Sequence, residues 1–184
     1  DATVDWLHKF DDARPVDLLI ANAGISIDID GSSLNDFSIV RRTLDVNVGG
    51  VLNTVEALVG RMIQRRRGQI GLVSSMAGFI GLPHAGSYNA SKAAVRVWGE
   101  SIRYALKKHN VGVSVICPGF VKTDMTAQAT IRMPFLMNAD RAATIIRRGL
   151  RRNDARSAFP CGIKAAVWRG GVRPGSGTAH RRAP

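Results

Sequence analysis

The chain has 184 residues, of which 45% are hydrophobic; this fits one folded domain and argues against a disordered chain. It has no run near the roughly 18 apolar residues of a membrane span and shows no secretory leader, so we expect a cytoplasmic protein. The net charge of +12 would suit a nucleic-acid-binding protein, but residues 147–184 hold ten Lys and Arg and one acid, which leaves +3 for the rest of the chain.

The predicted elements alternate between helices and short apolar strands. In chain order they are a helix that ends before Pro15, a strand at residues 16–21, a helix at 37–67, a strand at 69–73, a helix at 87–109, a strand at 111–116 and a helix at 139–151. Short strands between long helices pair in parallel through right-handed crossovers. The sequence therefore predicts an α/β fold with a doubly wound, Rossmann-like parallel sheet.

Two segments of different composition divide the chain. Residues 1–151 carry the alternating pattern and are predicted to form the Rossmann-like domain. Residues 152–184 are basic and rich in Gly, Arg and Pro, so we expect a poorly ordered tail after one short strand near Ala158 and Phe159. The two cysteines, Cys117 and Cys161, lie in no metal-ligand pattern, and no metal site is predicted.

Polar residues follow the predicted strands at their carboxyl ends. These are Asn22, Ser74, Ser75 and the Pro118-Gly119 pair. Ligands of doubly wound sheets bind beyond the carboxyl ends of the strands, so this edge is the predicted functional edge.

Tyr88 and Lys92 are four residues apart on a predicted helix, so their side chains share one face, one turn apart. A nearby ammonium favours the phenolate and is expected to lower the pKa of the tyrosine. A phenol tuned in this way can give a proton to a carbonyl oxygen or take one from an alcohol. The hydroxyl of Ser75, at a strand end, could bond the same oxygen.

With these motifs the chain resembles the short-chain dehydrogenase/reductase family. The matching segments are Asn22-Ala23-Gly24, Asn47 in Leu-Asp-Val-Asn-Val, Ser74-Ser75, Tyr88-Asn-Ala-Ser-Lys92 and Pro118-Gly-Phe-Val-Lys-Thr123. The resemblance implies an oxidoreductase that uses NAD or NADP to interconvert a secondary alcohol and a ketone by hydride transfer, in which the cofactor supplies the hydride.

The resemblance also implies roles for individual residues. Tyr88 would be the general acid/base, Lys92 would lower its pKa and bind the nicotinamide ribose, and Ser75 would orient the substrate carbonyl. Asn47 would hold a water that links Lys92 to solvent. The cofactor-binding residues implied by the resemblance are Asn22, Ala23, Gly24, Tyr88, Lys92, Pro118, Gly119, Val121 and Thr123.

Three further expectations follow from the resemblance. The glycine-rich turn that opens the family's fold is not found, and the first strand resembles the family's fourth, so the chain looks like an N-terminally truncated member and its preference between NAD and NADP cannot be read. Residues 126–138 would form a substrate lid with an apolar face, with ordinary packing as an equal alternative. His84 could line the pocket, although a surface-loop histidine is the favoured interpretation. The two long helices would pair copies of the chain into a homo-oligomer.

Two other interpretations remain open. The chain could be a non-catalytic remnant of the family, which would fail to bind NAD(H) or NADP(H). Less favoured is a nucleic-acid-binding protein that acts through the basic tail, because aromatic residues are only 6% of the chain and no stacking platform is evident.

Overall fold

A computed structural model describes residues 2–26, 36–82, 85–127 and 133–160. The helices are α1 (Ala2–Ala13), α2 (Phe37–Leu44), α3 (Gly50–Gln64), α4 (Gly86–Lys107), α5 (Asp124–Ala127) and α6 (Ala139–Arg151). The strands are β1 (Leu18–Ala21), β2 (Gly68–Val73), β3 (Val111–Pro118) and β4 (Arg156–Phe159). The strands pair in parallel in the order β1-β2-β3-β4, which confirms the predicted α/β fold class.

The two faces of this sheet carry different helices. A Cβ added to Gly99 of α4 would meet Leu72 Cδ1 at 2.6 Å, whereas one added to Gly71 would meet Leu150 Cδ2 of α6 at 3.4 Å. Because successive strand residues point to opposite faces, α4 and α6 cover opposite faces of the sheet.

This arrangement bears on the hand of the crossovers. The strands follow one another in a single direction across the sheet. Because α4 and α6 lie on opposite faces, the β3–β4 connection through α6 has the opposite hand to the β2–β3 connection through α4. The prediction that all crossovers are right-handed is therefore wrong. The apolar stripe of α6, which includes Ala142 and Leu150, packs with Ile116 and Phe159 in a separate core cluster, and this packing decides the face.

The main core lies between the sheet and the helices α1, α3 and α4. Its most deeply buried members are Leu58, Met62, Ile70, Leu72, Val95 and Val113. Leu58 and Met62 lie one turn apart on α3, and Ile70 and Leu72 lie at alternate positions on β2, so one face of each of these two elements points into this core. The packing fixes the helices over the strands whose carboxyl ends carry the polar residues.

The long helix predicted at residues 37–67 has an internal irregularity. Its α-helical parts, α2 and α3, are joined by a π-helical turn at Asp45–Gly49. The caps on both sides of this turn have right-handed helical angles, so the axis continues through it. Turns of this kind widen a helix locally and occur often at functional sites. Asn47 lies in the middle of this turn.

The strand predicted near Ala158 and Phe159 is β4, which pairs with β3. The sheet thus extends past residue 151 into the predicted tail segment. The rest of that segment, residues 161–184, lies outside the described residues, as do His84 and the middle of the predicted lid at 128–132. No helix in the described part of the chain is long and apolar enough to cross a membrane.

Candidate active site

The carboxyl ends of three strands meet at one edge of the sheet, as predicted. Ser74 and Ser75 follow β2, Gly24 lies three residues after β1, and Pro118 is the last residue of β3. The Ser75 hydroxyl donates to the Pro118 carbonyl at 3.4 Å and accepts a hydrogen bond from the Ala77 amide at 3.1 Å. Ser75 therefore bridges two strand ends and begins the short 3₁₀ helix Met76–Phe79.

Tyr88 and Lys92 lie in the first half of α4, one turn apart. The ammonium nitrogen of Lys92 is 5.7 Å from the centroid of the Tyr88 ring and donates to the Val73 carbonyl at 3.0 Å. Lys92 is 3% exposed, which is rare for a lysine. The structure thus brings the phenol and the ammonium group together beside the carboxyl end of β2.

Burial shifts the pKa of both groups. It raises the pKa of the Tyr88 phenol, although hydrogen bonding with Ser75 acts in the opposite direction. It lowers the pKa of Lys92 to about 8 because a charged ammonium loses hydration inside the protein. The net shift of the Tyr88 pKa is therefore upward, opposite to the predicted lowering, because removal of the phenol from water dominates. The described hydrogen bond of the Lys92 ammonium goes to the Val73 carbonyl.

Asn47 is fully buried and holds the loop that follows β1. Its Oδ1 accepts from the Ile25 amide at 2.7 Å, and its Nδ2 donates to the Ile25 carbonyl at 2.9 Å. The same Nδ2 donates to Ser91 Oγ at 2.9 Å, and Ser91 Oγ donates to the Tyr88 carbonyl at 2.8 Å. Asn47 therefore links the loop after β1 to the first turn of α4.

Gly24 packs against the polar centre of the site. A Cβ at this position would come to 3.1 Å from Lys92 Nζ and 3.2 Å from Asn47 Oδ1, closer than most real Cβ contacts. Asn22 and Ala23 precede Gly24 and are exposed, so they lie on the rim rather than among the buried polar groups.

The loop after β3 carries the remaining predicted cofactor residues. The Gly119 amide donates to the Phe159 carbonyl at 2.7 Å. Val121 forms a single bridge with Met137, and its carbonyl accepts from Thr126 Oγ1 at 2.8 Å. The Thr123 amide donates to Thr126 Oγ1 at 2.9 Å. Thr123 therefore bonds within its own loop, whereas Val121 also packs against the core cluster that includes Ile116 and Phe159. Pro118 contacts Ser75.

Two buried hydroxyls take part in the site through contacts that the sequence does not predict. Ser74 Oγ donates to the Lys92 carbonyl at 2.7 Å, and Ser91 joins Asn47 to α4. Ser91 lies within the tyrosine–lysine motif, three residues after Tyr88, so helical spacing could have placed it near that turn. Ser74 is predicted to lie on the functional edge, but no sequence signal marks its hydrogen bond to Lys92. Among the described residues no cluster of three or more His, Cys, Asp or Glu could hold a metal ion.

The sequence profile of the family described as short chain dehydrogenase matches residues 3–133. An uncharacterized oxidoreductase of Myxococcus xanthus is 39% identical over 161 residues, which are 87% of this chain and 63% of that protein. Dehydrogenase/reductase SDR family member 7B of Xenopus tropicalis is 36% identical over 115 residues, which are 62% of this chain and 37% of that protein. The chain thus spans less than two thirds of the length of these relatives.

Solved structures share the fold. A protein of Novosphingobium aromaticivorans described as a short-chain dehydrogenase superposes with a TM-score of 0.76 at 27% identity, over 91% of this chain and 61% of that one. A short chain dehydrogenase of Burkholderia cenocepacia, solved in complex with NADP, gives 0.78 at 24% identity, over 91% and 70%. With the matched profile, the shared fold and the assembled serine, tyrosine and lysine, this chain belongs to the short-chain dehydrogenase family.

Proposed function

We propose that the protein is an NAD(P)-dependent oxidoreductase that interconverts a secondary alcohol and a ketone, with Tyr88 as the general acid/base. The observation that carries this proposal is the convergence of three groups from separate elements. The Ser75 hydroxyl comes from a strand end, and the Tyr88 phenol and the Lys92 ammonium come from one face of α4. A substrate oxygen beside this set could accept a proton from the phenol and a hydrogen bond from the serine.

The residues present fit a nicotinamide cofactor. An ammonium group has three donor hydrogens, and the one described hydrogen bond of Lys92 Nζ is to Val73 O. Gly24 leaves the space beside Nζ free of a Cβ. Lys92 would hold ribose hydroxyl groups there, and the nicotinamide, when bound, supplies or accepts the hydride. The Burkholderia neighbour, which shares this fold, was solved with NADP, and we propose the same cofactor class here.

The protonation states support reduction near neutral pH. With its pKa raised by burial, Tyr88 is a neutral phenol at pH 7 and holds the proton that a developing alkoxide needs. Lys92, with a pKa of about 8, is mostly charged at that pH and can stabilise the phenolate that forms once the proton has left. Oxidation of an alcohol needs the phenolate at the start, so we propose that this direction is favoured at higher pH.

The test is turnover of NADH and NADPH by the full chain with a panel of ketones, before and after the substitution Tyr88→Phe. We expect the variant to lose turnover by roughly 10²- to 10⁴-fold, the usual contribution of a general acid. Tyr104→Phe is the matched control, because Tyr104 lies on the same helix and is 82% exposed. A folded Tyr88→Phe protein with wild-type turnover would exclude the assigned role. A wild-type chain that binds neither NADH nor NADPH would instead support the non-catalytic alternative.

We also propose that copies of the chain associate through α3 and α4. Leu52 of α3 is 40% exposed and Val97 of α4 is 55% exposed. Between these helices lies an apolar groove of about 160 Å³, lined by Val48, Val51, Leu52, Ala94, Val95 and Trp98. Exposed apolar surface at the seam of two packed helices is typical of a contact between subunits.

A further inference from the structure

The 3₁₀ helix Met76–Phe79 lies unusually close to the backbone of α4. A Cβ added to Gly78 would come to 2.8 Å from the carbonyl carbon and oxygen of Lys92 and 2.9 Å from the Ala93 amide nitrogen. Real Cβ atoms essentially never approach a neighbour within 3.0 Å. The atoms that it would meet are backbone atoms of a helix, which cannot turn aside as the end of a side chain can. At this contact, therefore, any residue with a side chain forces the two segments apart.

Hydrogen bonds hold the same two segments together just before Gly78 and at Gly78 itself. Before it, Ser74 Oγ donates to the Lys92 carbonyl at 2.7 Å. At it, Arg96 Nε donates to the Gly78 carbonyl at 3.2 Å. The guanidinium of Arg96 also lies 4.5 Å from the centroid of the Phe79 ring, a favourable cation–π distance. The turn is thus fixed against α4 at the residue that carries the buried ammonium group.

The turn also fixes Ser75. The Gly78 amide donates to the Ser75 carbonyl at 3.0 Å, and the Ser75 side chain caps the turn through the Ala77 amide. A displacement of Gly78 away from α4 is therefore passed to Ser75 through its backbone and side chain. Tyr88 and Lys92 are expected to keep their positions, because α4 is held by its own core contacts.

We propose that Gly78 is a positioning residue of the active site: because it lacks a Cβ, the Met76–Phe79 turn lies directly on the backbone of α4, and this close approach sets the Ser75 hydroxyl against the Tyr88 phenol. The inference rests on the proposed function, in which those two groups share the substrate oxygen. Gly78 itself touches neither substrate nor cofactor; it acts through Ser75.

The pKa of Tyr88 provides a test that needs no substrate. The chain has two tyrosines, so the full chain labelled with ¹³C-tyrosine and carrying Tyr104→Phe reports on Tyr88 alone by NMR. Since hydrogen bonding with Ser75 lowers the pKa of the phenol, Gly78→Ala is expected to raise that pKa through the loss of this hydrogen bond. Ser75→Ala should produce the same rise. The double variant should show no further rise, because both substitutions break one contact.

Two control substitutions separate positioning from general damage. Gly99→Ala also crowds α4, but against the side chains of Leu72 and Val115 in the core, and it should leave the pKa of Tyr88 in place. Gly81→Ala, three residues after Gly78 and with open space at its Cβ, should have no effect. If Gly78→Ala does not fold, Ser74→Ala loosens the same contact without crowding and should raise the pKa in the same direction.

The results distinguish this inference from the proposed function. A Tyr88 pKa that is unchanged in both Gly78→Ala and Ser74→Ala, or a rise that adds fully to that of Ser75→Ala, would overturn the positioning role. Where the wild-type chain turns over a ketone, Gly78→Ala should lower kcat by about tenfold or more while the KM for the cofactor stays the same. If the wild-type chain shows no turnover, the proposed function is refuted. The titration of Tyr88 then still tests whether Gly78 positions Ser75.

Discussion

The side-chain amide of Asn47 donates a hydrogen bond to the hydroxyl oxygen of Ser91 at 2.9 Å. This contact joins a π-helical turn to the helix that carries the phenol and the ammonium group, over 44 residues of sequence. The remaining hydrogen bonds of the amide satisfy both backbone groups of Ile25. One buried side chain therefore sets the position of the loop after β1 relative to α4.

Replacement of that side chain should affect both stability and the site. We expect Asn47→Ala to lower the free energy of unfolding by about 2–4 kcal/mol, because it leaves the amide and the carbonyl of Ile25 without their partner in the interior. Urea denaturation measures this loss. Thr54→Ala on α3 is the matched control, since it removes a bond to the Gly50 carbonyl within the helix and should cost about 1 kcal/mol or less. Equal losses in the two variants would contradict the bridging role.

The buried lysine should make stability depend on pH. The pKa of Lys92 falls from 10.5 to about 8 on folding, so between these values the unfolded chain binds more protons than the folded one. The contribution of this group to stability therefore increases as the pH rises from about 8. Above pH 9 the raised pKa of Cys117, about 11, acts in the opposite direction. The effect of Lys92 is thus best measured between pH 7 and about pH 9.

Lys92→Met tests this contribution directly. The substitution removes a buried charge, and we expect it to raise the free energy of unfolding at pH 7 by on the order of 1–3 kcal/mol while it abolishes turnover. Lys107→Met, an exposed lysine in the last turn of the same helix, should change neither quantity appreciably. Urea denaturation at pH 7 and pH 9 gives both the gain and its decline with pH. A variant less stable than the wild type at pH 7 would show that the hydrogen bond to Val73 outweighs the cost of burying the charge.

Gly24 should govern access to the ammonium group. A Cβ there would press on Lys92 Nζ and Asn47 Oδ1, so we expect Gly24→Ala to weaken NADH and NADPH binding by about tenfold or more, the equivalent of one weakened charge-assisted hydrogen bond. Fluorescence titration with each nucleotide measures the change in Kd. In Gly60→Ala the new Cβ has open space, and nucleotide affinity should not change. Equal affinity in Gly24→Ala and the wild type would place the nucleotide away from Lys92.

The proposed contact between copies can be broken by a charge. Val97→Glu places a carboxylate on the exposed apolar seam of α3 and α4, and a buried unpaired charge at an interface is costly. We expect the oligomer to dissociate to monomer, as judged by sedimentation at several concentrations. Phe10→Glu, on the half-exposed face of α1, should leave the mass of the assembly unchanged. A wild-type chain that sediments as a monomer at high concentration would rule out this association.

Much of the fold follows from local patterns. The α6 helix spans the residues that its apolar spacing predicts, and the predicted strands at residues 69–73 and 111–116 lie within β2 and β3. Periodicity reports which face of an element is buried, but it does not report what that face packs against. The placement of α6 on the opposite face of the sheet from α4 depends on contacts that are distant in sequence.

The sequence alone determined that Tyr88 and Lys92 share a helix face and that Ser75 follows a strand end, because a helical turn and the end of a strand are local geometry. Only the tertiary structure decided that the pKa of Tyr88 rises, because that shift depends on how much protein surrounds the phenol. It also decided that Gly78 touches the backbone at Lys92. Burial and close approach are produced by segments that meet only when the chain is folded, and spacing along the chain does not encode them.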